Sequence, residues 1–288
     1  MISVIKGTTR VCGLIGNPVE HSISPLIHNS LAKFTDMDLA YVTFKVEKGQ
    51  VKTAVDGAYA LNILGMNVTV PHKQEVIDAL QSIDPLAKAI GAVNTLVRVE
   101  GGYKGYNTDI FGLERELEDE GVILKDNPVV ILGAGGASRA IAFLCAKKGA
   151  AVIYLLNRSL EKANDIADAV NGYFGKDVVV PMSISDYDKI PCSEYVVIQT
   201  TSVGLHPHDD EAVIDDMAFY AKASAGVDII YNPANTKFMK LMESQGKPAF
   251  NGLKMLLYQA VAAYELFNDC TVSKEVVDSV YGIVKGEL

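Results

Sequence analysis

Residues 129–139, Val129-Val130-Ile131-Leu132-Gly133-Ala134-Gly135-Gly136-Ala137-Ser138-Arg139, constrain the fold of this chain more than any other stretch. The apolar run at its start reads as a buried strand. Gly133 then permits a tight turn, and a helix starts near Ala137. A helix start points free N–H groups and the positive end of its dipole outward, which suits a pyrophosphate. Gly135 lacks the Cβ that would collide with that group. Ser138 stands where such turns usually carry a third glycine, and is small enough for the helix to pack closely on the strand. A second strand, Val152–Leu156, completes the unit. A strand, glycine turn, helix and second strand in this order predict a Rossmann-type dinucleotide-binding fold. Gly133, Ala134, Gly135, Gly136 and Ala137 are the expected phosphate-facing residues.

The end of the second strand reports which dinucleotide. An acid there would accept hydrogen bonds from a ribose 2′-hydroxyl, whereas a 2′-phosphate needs cations and donors. The chain reads Leu156-Asn157-Arg158-Ser159-Leu160-Glu161-Lys162. Asn157 is not an acid, Arg158 offers a planar fork, Ser159 a hydroxyl, and Lys162 a charge one helical turn on. The pattern predicts NADP. Ser159 also reads as the N-cap of the following helix.

Strand-like and helix-like segments alternate through most of the chain, which predicts α/β architecture. Val11–Gly16, Ala40–Val46 and Met66–Val70 read as strands of a first block. Ser24 reads as the N-cap of a helix with Pro25 in its first turn. Thr95–Val99 and Tyr103–Tyr106 read as a hairpin around Gly101-Gly102. Asn107-Thr108-Asp109 opens a charged helix that connects to the second block. There Val129–Leu132, Val152–Leu156, Val178–Val180, Tyr195–Thr200 and Gly226–Ile230 are short apolar runs of the kind that form parallel strands covered on both faces. Two helical segments, Leu253–Phe267 and Ser273–Val284, end the chain with no strand after them. They can pack back on the first block, making it discontinuous. The expected domains are residues 1–108 plus 252–288, and the inserted residues 109–251.

Composition excludes several classes. A formal net charge of −9 argues against a nucleic-acid partner. No segment approaches the ~20 apolar residues of a membrane span, and the start of the chain does not resemble a secretory signal. A cytoplasmic protein is expected. Cys12, Cys145, Cys192 and Cys270 form no C-x-x-C pair, so no metal site is expected and the cysteines read as reduced thiols.

The first block gathers polar residues on loop positions. They are Ser22 and Ser24, then Asn67, Thr69 and Lys73 in Asn67-Val68-Thr69-Val70-Pro71-His72-Lys73, then Asn94 and Asp109. Asn67 and Thr69 alternate with valines, so they share one face of a strand. Lys73 follows at the strand's C-terminal end, where α/β sites open. These motifs, with Gly16-Asn17-Pro18, Gly91-Ala92-Val93-Asn94-Thr95, Asn107-Thr108-Asp109, the glycine turn, Asn157-Arg158-Ser159 and Gly252-Leu253-Lys254-Met255-Leu256 with Gln259, resemble the shikimate dehydrogenase family in their joint order.

The resemblance implies reversible NADP-linked reduction of 3-dehydroshikimate to shikimate, a step of aromatic amino-acid biosynthesis. It implies a substrate domain made of the N-terminal block and the C-terminal helices, with the NADP domain inserted. It makes Lys73 and Asp109 the catalytic pair. Ser22, Ser24, Asn67, Thr69, Asn94, Tyr231 and Gln259 would bind the substrate, and Ile229 and Gly252 would lie near the nicotinamide. A free lysine has a pKa of ~10.4 and is a poor base near neutrality, so a pair sharing one proton is the expected device.

Three residues depart from the family pattern. His72 replaces an aromatic residue before the lysine and reads as a partly exposed histidine at a helix start. Gln199 replaces an asparagine in Gln199-Thr200-Thr201-Ser202, which puts that loop's contacts with cofactor in question. Lys254 replaces a glycine. The rival activities are quinate or dual quinate/shikimate dehydrogenase, and, from another class, a non-catalytic dinucleotide-sensing regulator. A monomer or homodimer is expected.

Overall fold

A computed structural model describes residues 5–287 of the 288-residue chain. The chain divides into two compact units, Met1–Gly112 with Leu257–Leu288, and Leu113–Leu256. Both are α/β, as the alternating pattern predicts.

In the first unit β1 (Arg10–Gly16), α1 (Ser24–Phe34), β2 (Leu39–Lys45), α2 (Val51–Ala60) and β3 (Gly65–Val68) alternate. They are followed by a 3-10 turn at Glu75–Ala79, β4 (Ser82–Ile83), α3 (Pro85–Ile90), β5 (Thr95–Val99) and β6 (Gly102–Tyr106); α4 (Asp109–Asp119) starts in this unit and runs into the second from Leu113 on. The sheet order is β2-β1-β3-β5-β6-β4. β1 runs parallel to β2 and β3, while β5 is antiparallel to both β3 and β6. The register aligns Asn67 with Thr95 and Thr95 with Tyr106. The C-terminal ends of β1, β3 and β6 and the start of β5 therefore lie along one edge. Strand order reverses beside β1, so this edge is a topological switch point, where α/β sheets bind ligands. Ile15, Val68, Val93, Leu96 and Tyr103 belong to the core beneath it.

The second unit contains β7 (Pro128–Leu132), α5 (Gly136–Lys147), β8 (Val152–Asn157), α6 (Leu160–Phe174), β9 (Val179–Ser183) and β10 (Tyr195–Gln199). It continues with α7 (Met217–Ala221), β11 (Ala223–Asp228), α8 (Lys237–Ser244) and β12 (Ala249–Asn251). All six strands are parallel, in the order β12-β11-β10-β7-β8-β9. Val129, Val130, Ile131 and Leu132 are all fully buried. Successive side chains point to opposite faces, so β7 is covered on both. The order reverses between β7 and β10, next to the glycine turn. Two helices, α9 (Leu253–Asn268) and α10 (Lys274–Glu287), end the chain. No helix of the described residues is long and apolar enough to cross a membrane.

Local details differ from the expectations. Ser24 is the first residue of α1 and Ile23 occupies the cap position. The hydroxyl that serves this helix start belongs to Ser22, whose Oγ accepts the Ser24 N–H at 3.2 Å. β4 and β12 were not foreseen, because segments of two or three residues carry no periodicity. The four cysteines are free thiols, Cys12 and Cys145 buried and Cys192 and Cys270 less so.

Lys254 is not a solvated charge. It pairs with Asp119 and Glu120, tying the start of α9 to the end of α4. Burial works against its charge, but the two carboxylates outweigh burial and raise its pKa. One turn earlier on α4, Glu116 is buried, 1% exposed. Burial, and then the charge of Glu120, push its pKa up to about 8. A carboxyl whose folded pKa is raised loses stability as pH climbs from the ordinary carboxylate range through that value. Glu116→Gln, which mimics the neutral acid, is therefore expected to raise Tm by roughly 5 °C at pH 9 and to change it little at pH 5. Thermal melts across that range check the sign.

Candidate active site

The first unit's polar edge is built by three loop starts. β3 stops at Val68, and the Thr69 N–H still reaches Ile15 O at 3.0 Å. The chain then turns, with His72 N–H donating to Thr69 O at 3.0 Å. His72 is fully buried, contrary to the expectation of a partly exposed helix-start residue. Its Nε2 lies 2.7 Å from Val46 O and its Nδ1 3.3 Å from Glu75 Oε2. The ring satisfies a carbonyl just past β2 that would otherwise be buried and unpaired. Lys73 follows, its own carbonyl accepting the Val93 N–H at 2.8 Å. The lysine is thereby pinned to the segment that carries Asn94.

Lys73 Nζ donates to Asp109 Oδ2 at 2.7 Å, with side chains 32% and 20% exposed. Asn94 Nδ2 donates to the other oxygen, Asp109 Oδ1, at 2.8 Å. Asn107 Oδ1 accepts the Asp109 N–H at 3.1 Å, so Asn107 performs the capping and leaves the Asp109 carboxylate for Lys73 and Asn94. Asn94 Oδ1 accepts from Thr108 N at 2.7 Å and from Thr95 Oγ1 at 3.0 Å. Below it, Asn67 donates to Thr95 Oγ1 at 3.1 Å and Asn94 O at 3.3 Å, and accepts from Tyr41 OH at 2.8 Å. Lys73, Asp109, Asn94 and Asn67 thus form one hydrogen-bonded group. Ser22 Oγ donates to Ser24 Oγ at 3.1 Å past the end of β1, on the same sheet edge. Thr69 and Gln259 are half-buried in this unit.

Residue-by-residue reading missed the supports of this group: Tyr41, Thr95, Thr108 and His28. Tyr41 is buried and stacks on His28 with ring centroids 4.0 Å apart. Burial drives the His28 pKa down to about 3, so the ring is neutral at physiological pH. Tyr41 on β2 and His28 on α1 carry the signature of ordinary core, and no sequence signal separates them from it, whereas Thr95 and Thr108 lie inside the quoted motifs and only their supporting role was missed.

In the second unit Gly133 has φ +112°, and a Cβ there would meet Thr200 Oγ1 at 2.7 Å and Thr201 Cγ2 at 2.8 Å. Glycine is required both by conformation and by the loop packed on it. Gly135 and Gly136 are exposed, and a Cβ on either would enter open space at the start of α5. That space is the cradle a pyrophosphate fits; Ala134 and Ala137 are half-buried beside it. Ser138 does more than substitute for a glycine. Its Oγ accepts the Gly135 N–H at 3.0 Å and lies 2.6 Å from Thr200 Oγ1, which donates to Leu132 O at 2.6 Å.

After β8, Asn157 Nδ2 donates to Ser159 O at 2.9 Å, shaping the turn that exposes Arg158. Ser159 holds the cap position of α6 but makes no side-chain cap hydrogen bond, so its hydroxyl is not consumed by the helix. Lys162 is exposed on the first turn of α6. Two cations and a hydroxyl at the end of β8 fit a 2′-phosphate. Ile229 and Gly252 touch: a Cβ on Gly252 would strike the Ile229 carbonyl. Tyr231, half-buried two residues on, has its pKa raised by burial. Gln199 is 1% exposed and its amide is hydrogen-bonded into its own loop, to Thr201 and Val203. Among the described residues no group of three or more His, Cys, Asp or Glu could hold a metal ion.

Known proteins resemble this chain along its length. Residues 14–96 match the family model described as the shikimate dehydrogenase substrate binding domain, and residues 116–242 match that of shikimate/quinate 5-dehydrogenase. A shikimate dehydrogenase (NADP+) of Desulforamulus reducens is 40% identical over 281 residues, covering 96% of each chain. A crystal structure of a shikimate dehydrogenase in complex with NADP+ superposes with TM-score 0.88 at 37% identity, covering 99% of this chain and 98% of that one. Shikimate 5-dehydrogenase from Listeria monocytogenes, in complex with shikimate and NAD, gives TM-score 0.91 at 30% identity, covering 99% of each.

Proposed function

The chain belongs to the shikimate dehydrogenase family, and from that premise we infer that its two polar sites serve one reaction, the reversible NADP-dependent reduction of 3-dehydroshikimate to shikimate. The observation that carries this reading is the hydrogen-bonded group Lys73–Asp109–Asn94 at the switch point of the first unit's sheet. A dinucleotide sensor needs no such proton relay.

When bound, NADPH supplies a hydride to the ketone carbon. Lys73 and Asp109 share the proton that the ketone oxygen needs as hydride arrives, and take it back in the reverse direction. Asp109 orients the lysine by accepting its hydrogen bond, and Asn94 orients Asp109. Ser22, Ser24, Asn67, Thr69, Asn94, Tyr231 and Gln259 bind the substrate's hydroxyls and carboxylate, a task suited to side chains that donate and accept. Asn67 also supports Asn94 and Thr95, to which its amide donates.

The start of α5, with Gly133 to Ala137, holds the pyrophosphate. Asn157, Arg158, Ser159 and Lys162 hold the 2′-phosphate, and Ile229 and Gly252 line the nicotinamide's place. We assign the substrate domain to residues 1–108 plus 252–288 and the NADP domain to 109–251; Asp109 and Tyr231 are substrate-site residues in the latter range, and Gly252 is a cofactor residue in the former. The protein works in the cytoplasm, consistent with its four free thiols, as a monomer or homodimer.

Initial rates with shikimate and quinate, each with NADP and NAD, test the reading. Shikimate with NADP is expected to give the highest kcat/KM of the four. Quinate leading would make this a quinate dehydrogenase, NAD leading would overturn the cofactor assignment, and no turnover with any combination would favour the regulator.

A further inference from the structure

Gln199 and Asp228 face each other in register at the C-terminal ends of the adjacent strands β10 and β11. They are 1% and 0% exposed. Gln199 uses its whole amide. Nε2 donates to Thr201 O at 3.2 Å, Val203 O at 3.1 Å and Asp228 Oδ1 at 3.3 Å, and Oε1 accepts the Thr201 N–H at 2.5 Å. Asp228 Oδ1 also accepts the Ile230 N–H at 3.0 Å, and Oδ2 accepts from Thr236 Oγ1 at 2.7 Å. Thr236 is in turn the cap of α8. Three segments hang from this one buried pair: the loop after β10, the residues after β11, and the start of α8.

The loop after β10 is also clamped to the glycine turn. Thr200 Oγ1 donates to Leu132 O and meets Ser138 Oγ, which accepts the Gly135 N–H. Thr201 fills the space that Gly133 leaves. On the other side Ile229 N–H donates to Gln199 O at 3.0 Å, and the Ile229 carbonyl abuts Gly252. The network therefore runs without a gap from Asp228, through Gln199 and the loop, to the pyrophosphate turn. A buried carboxylate with only neutral partners is costly to keep. Burial raises the Asp228 pKa to about 6 even against its three hydrogen bonds. If only packing were required, an apolar pair of the same shape would serve at least as well.

We propose that Gln199 and Asp228 are positioning residues for the nicotinamide half of the cofactor, setting the 200–204 loop and the Ile229–Tyr231 segment while leaving the adenosine half to Arg158 and its neighbours. The inference rests on the NADP reading above. It also gives the Gln199 departure a sense: the longer side chain reaches its own loop and the next strand together.

Calorimetric titration of Gln199→Met, nearly isosteric but without the amide, with NADP+ and with 2′,5′-ADP tests it. Expected is a Kd for NADP+ weakened by about 10-fold with the Kd for 2′,5′-ADP within about 2-fold of the unmodified chain. Asp228→Asn, which keeps shape and removes the charge, is expected to show the same split to a smaller degree. Equal weakening of both ligands, or of neither, overturns the proposal. So does failure of both variants to fold, since the pair would then be structural. An unmodified chain that does not bind NADP+ at all overturns the parent reading, and this one with it.

Discussion

Lys73→Met is expected to lower kcat for shikimate oxidation by roughly 10³-fold while leaving the fold intact. Lys73 sits at the surface edge of its unit, 32% exposed, and it pairs with a carboxylate that is 20% exposed. Part-exposed pairs of this kind contribute about 0–1 kcal/mol to stability, so unfolding cannot account for a loss of that size. Methionine keeps most of the aliphatic stem and removes only the ammonium. Asp109 does not swing away, because Asn94 Nδ2 still holds Oδ1 and Asn107 still holds its N–H. What disappears is the group that, on the proposed mechanism, would deliver and remove the proton. Positioned acids and bases contribute about 10²–10⁴-fold, and roughly 10³-fold lies in the middle of that range.

KM for shikimate is expected to change far less than kcat, because the serines, Thr69 and Gln259 remain. A variant whose melting curve matches the unmodified chain and whose kcat falls less than about threefold would remove Lys73 from the chemistry. A rise in KM with kcat unchanged would make it a binding residue instead. The kcat and KM split therefore assigns the role, and the melting curve excludes the trivial explanation.

The parts of this molecule that were legible in its sequence are those where one residue type answers one physical demand. Gly133 is such a case, since a positive φ and a crowded Cβ leave no other choice. The absence of an acid at Asn157 is another, since it pointed to NADP, the cofactor named for the relatives. Lys73 and Asp109 were legible through motif order, and their direct contact at 2.7 Å needed the sheet register to bring β3, β5 and β6 to one edge.

What was not legible depends on partners far apart in the chain. His72 was expected near solvent, yet the carbonyl of Val46, 26 residues earlier, draws it inside. Ser138 looked like a tolerated substitution because its partner, Thr200, lies 62 residues on. Lys254 and Glu116 depend on α4 meeting the start of α9 across more than a hundred residues. Asn94 carries four contacts at once, and a single asparagine in a loop gives no hint of them. Local propensity reports what one segment prefers; these residues report which segments meet, and that is decided by packing.

Arg158→Ala is expected to raise KM for NADP by about 30-fold and to leave KM for NAD within about 2-fold. The two cofactors differ only in the 2′-phosphate, so a residue that binds that group must discriminate between them. Arg158 follows β8 on an exposed turn, with the Ser159 hydroxyl unclaimed by α6 and Lys162 on the next turn. On the proposed assignment, removing the guanidinium would delete a two-pronged, charge-assisted contact while Ser159 and Lys162 would keep part of the anion's binding, which is why the expected loss is tens of fold rather than complete. The site is exposed, so salt screens it. The ratio of variant to unmodified KM should therefore shrink as ionic strength rises. Arg158→Lys is expected to recover only part of the loss, because an ammonium restores charge without the planar fork. If KM for NAD rises as much as KM for NADP, Arg158 is acting on adenine or on the turn itself, and the 2′-phosphate must be recognised elsewhere. If neither changes, the absence of an acid at Asn157 is what admits NADP, and the cation beside it is incidental.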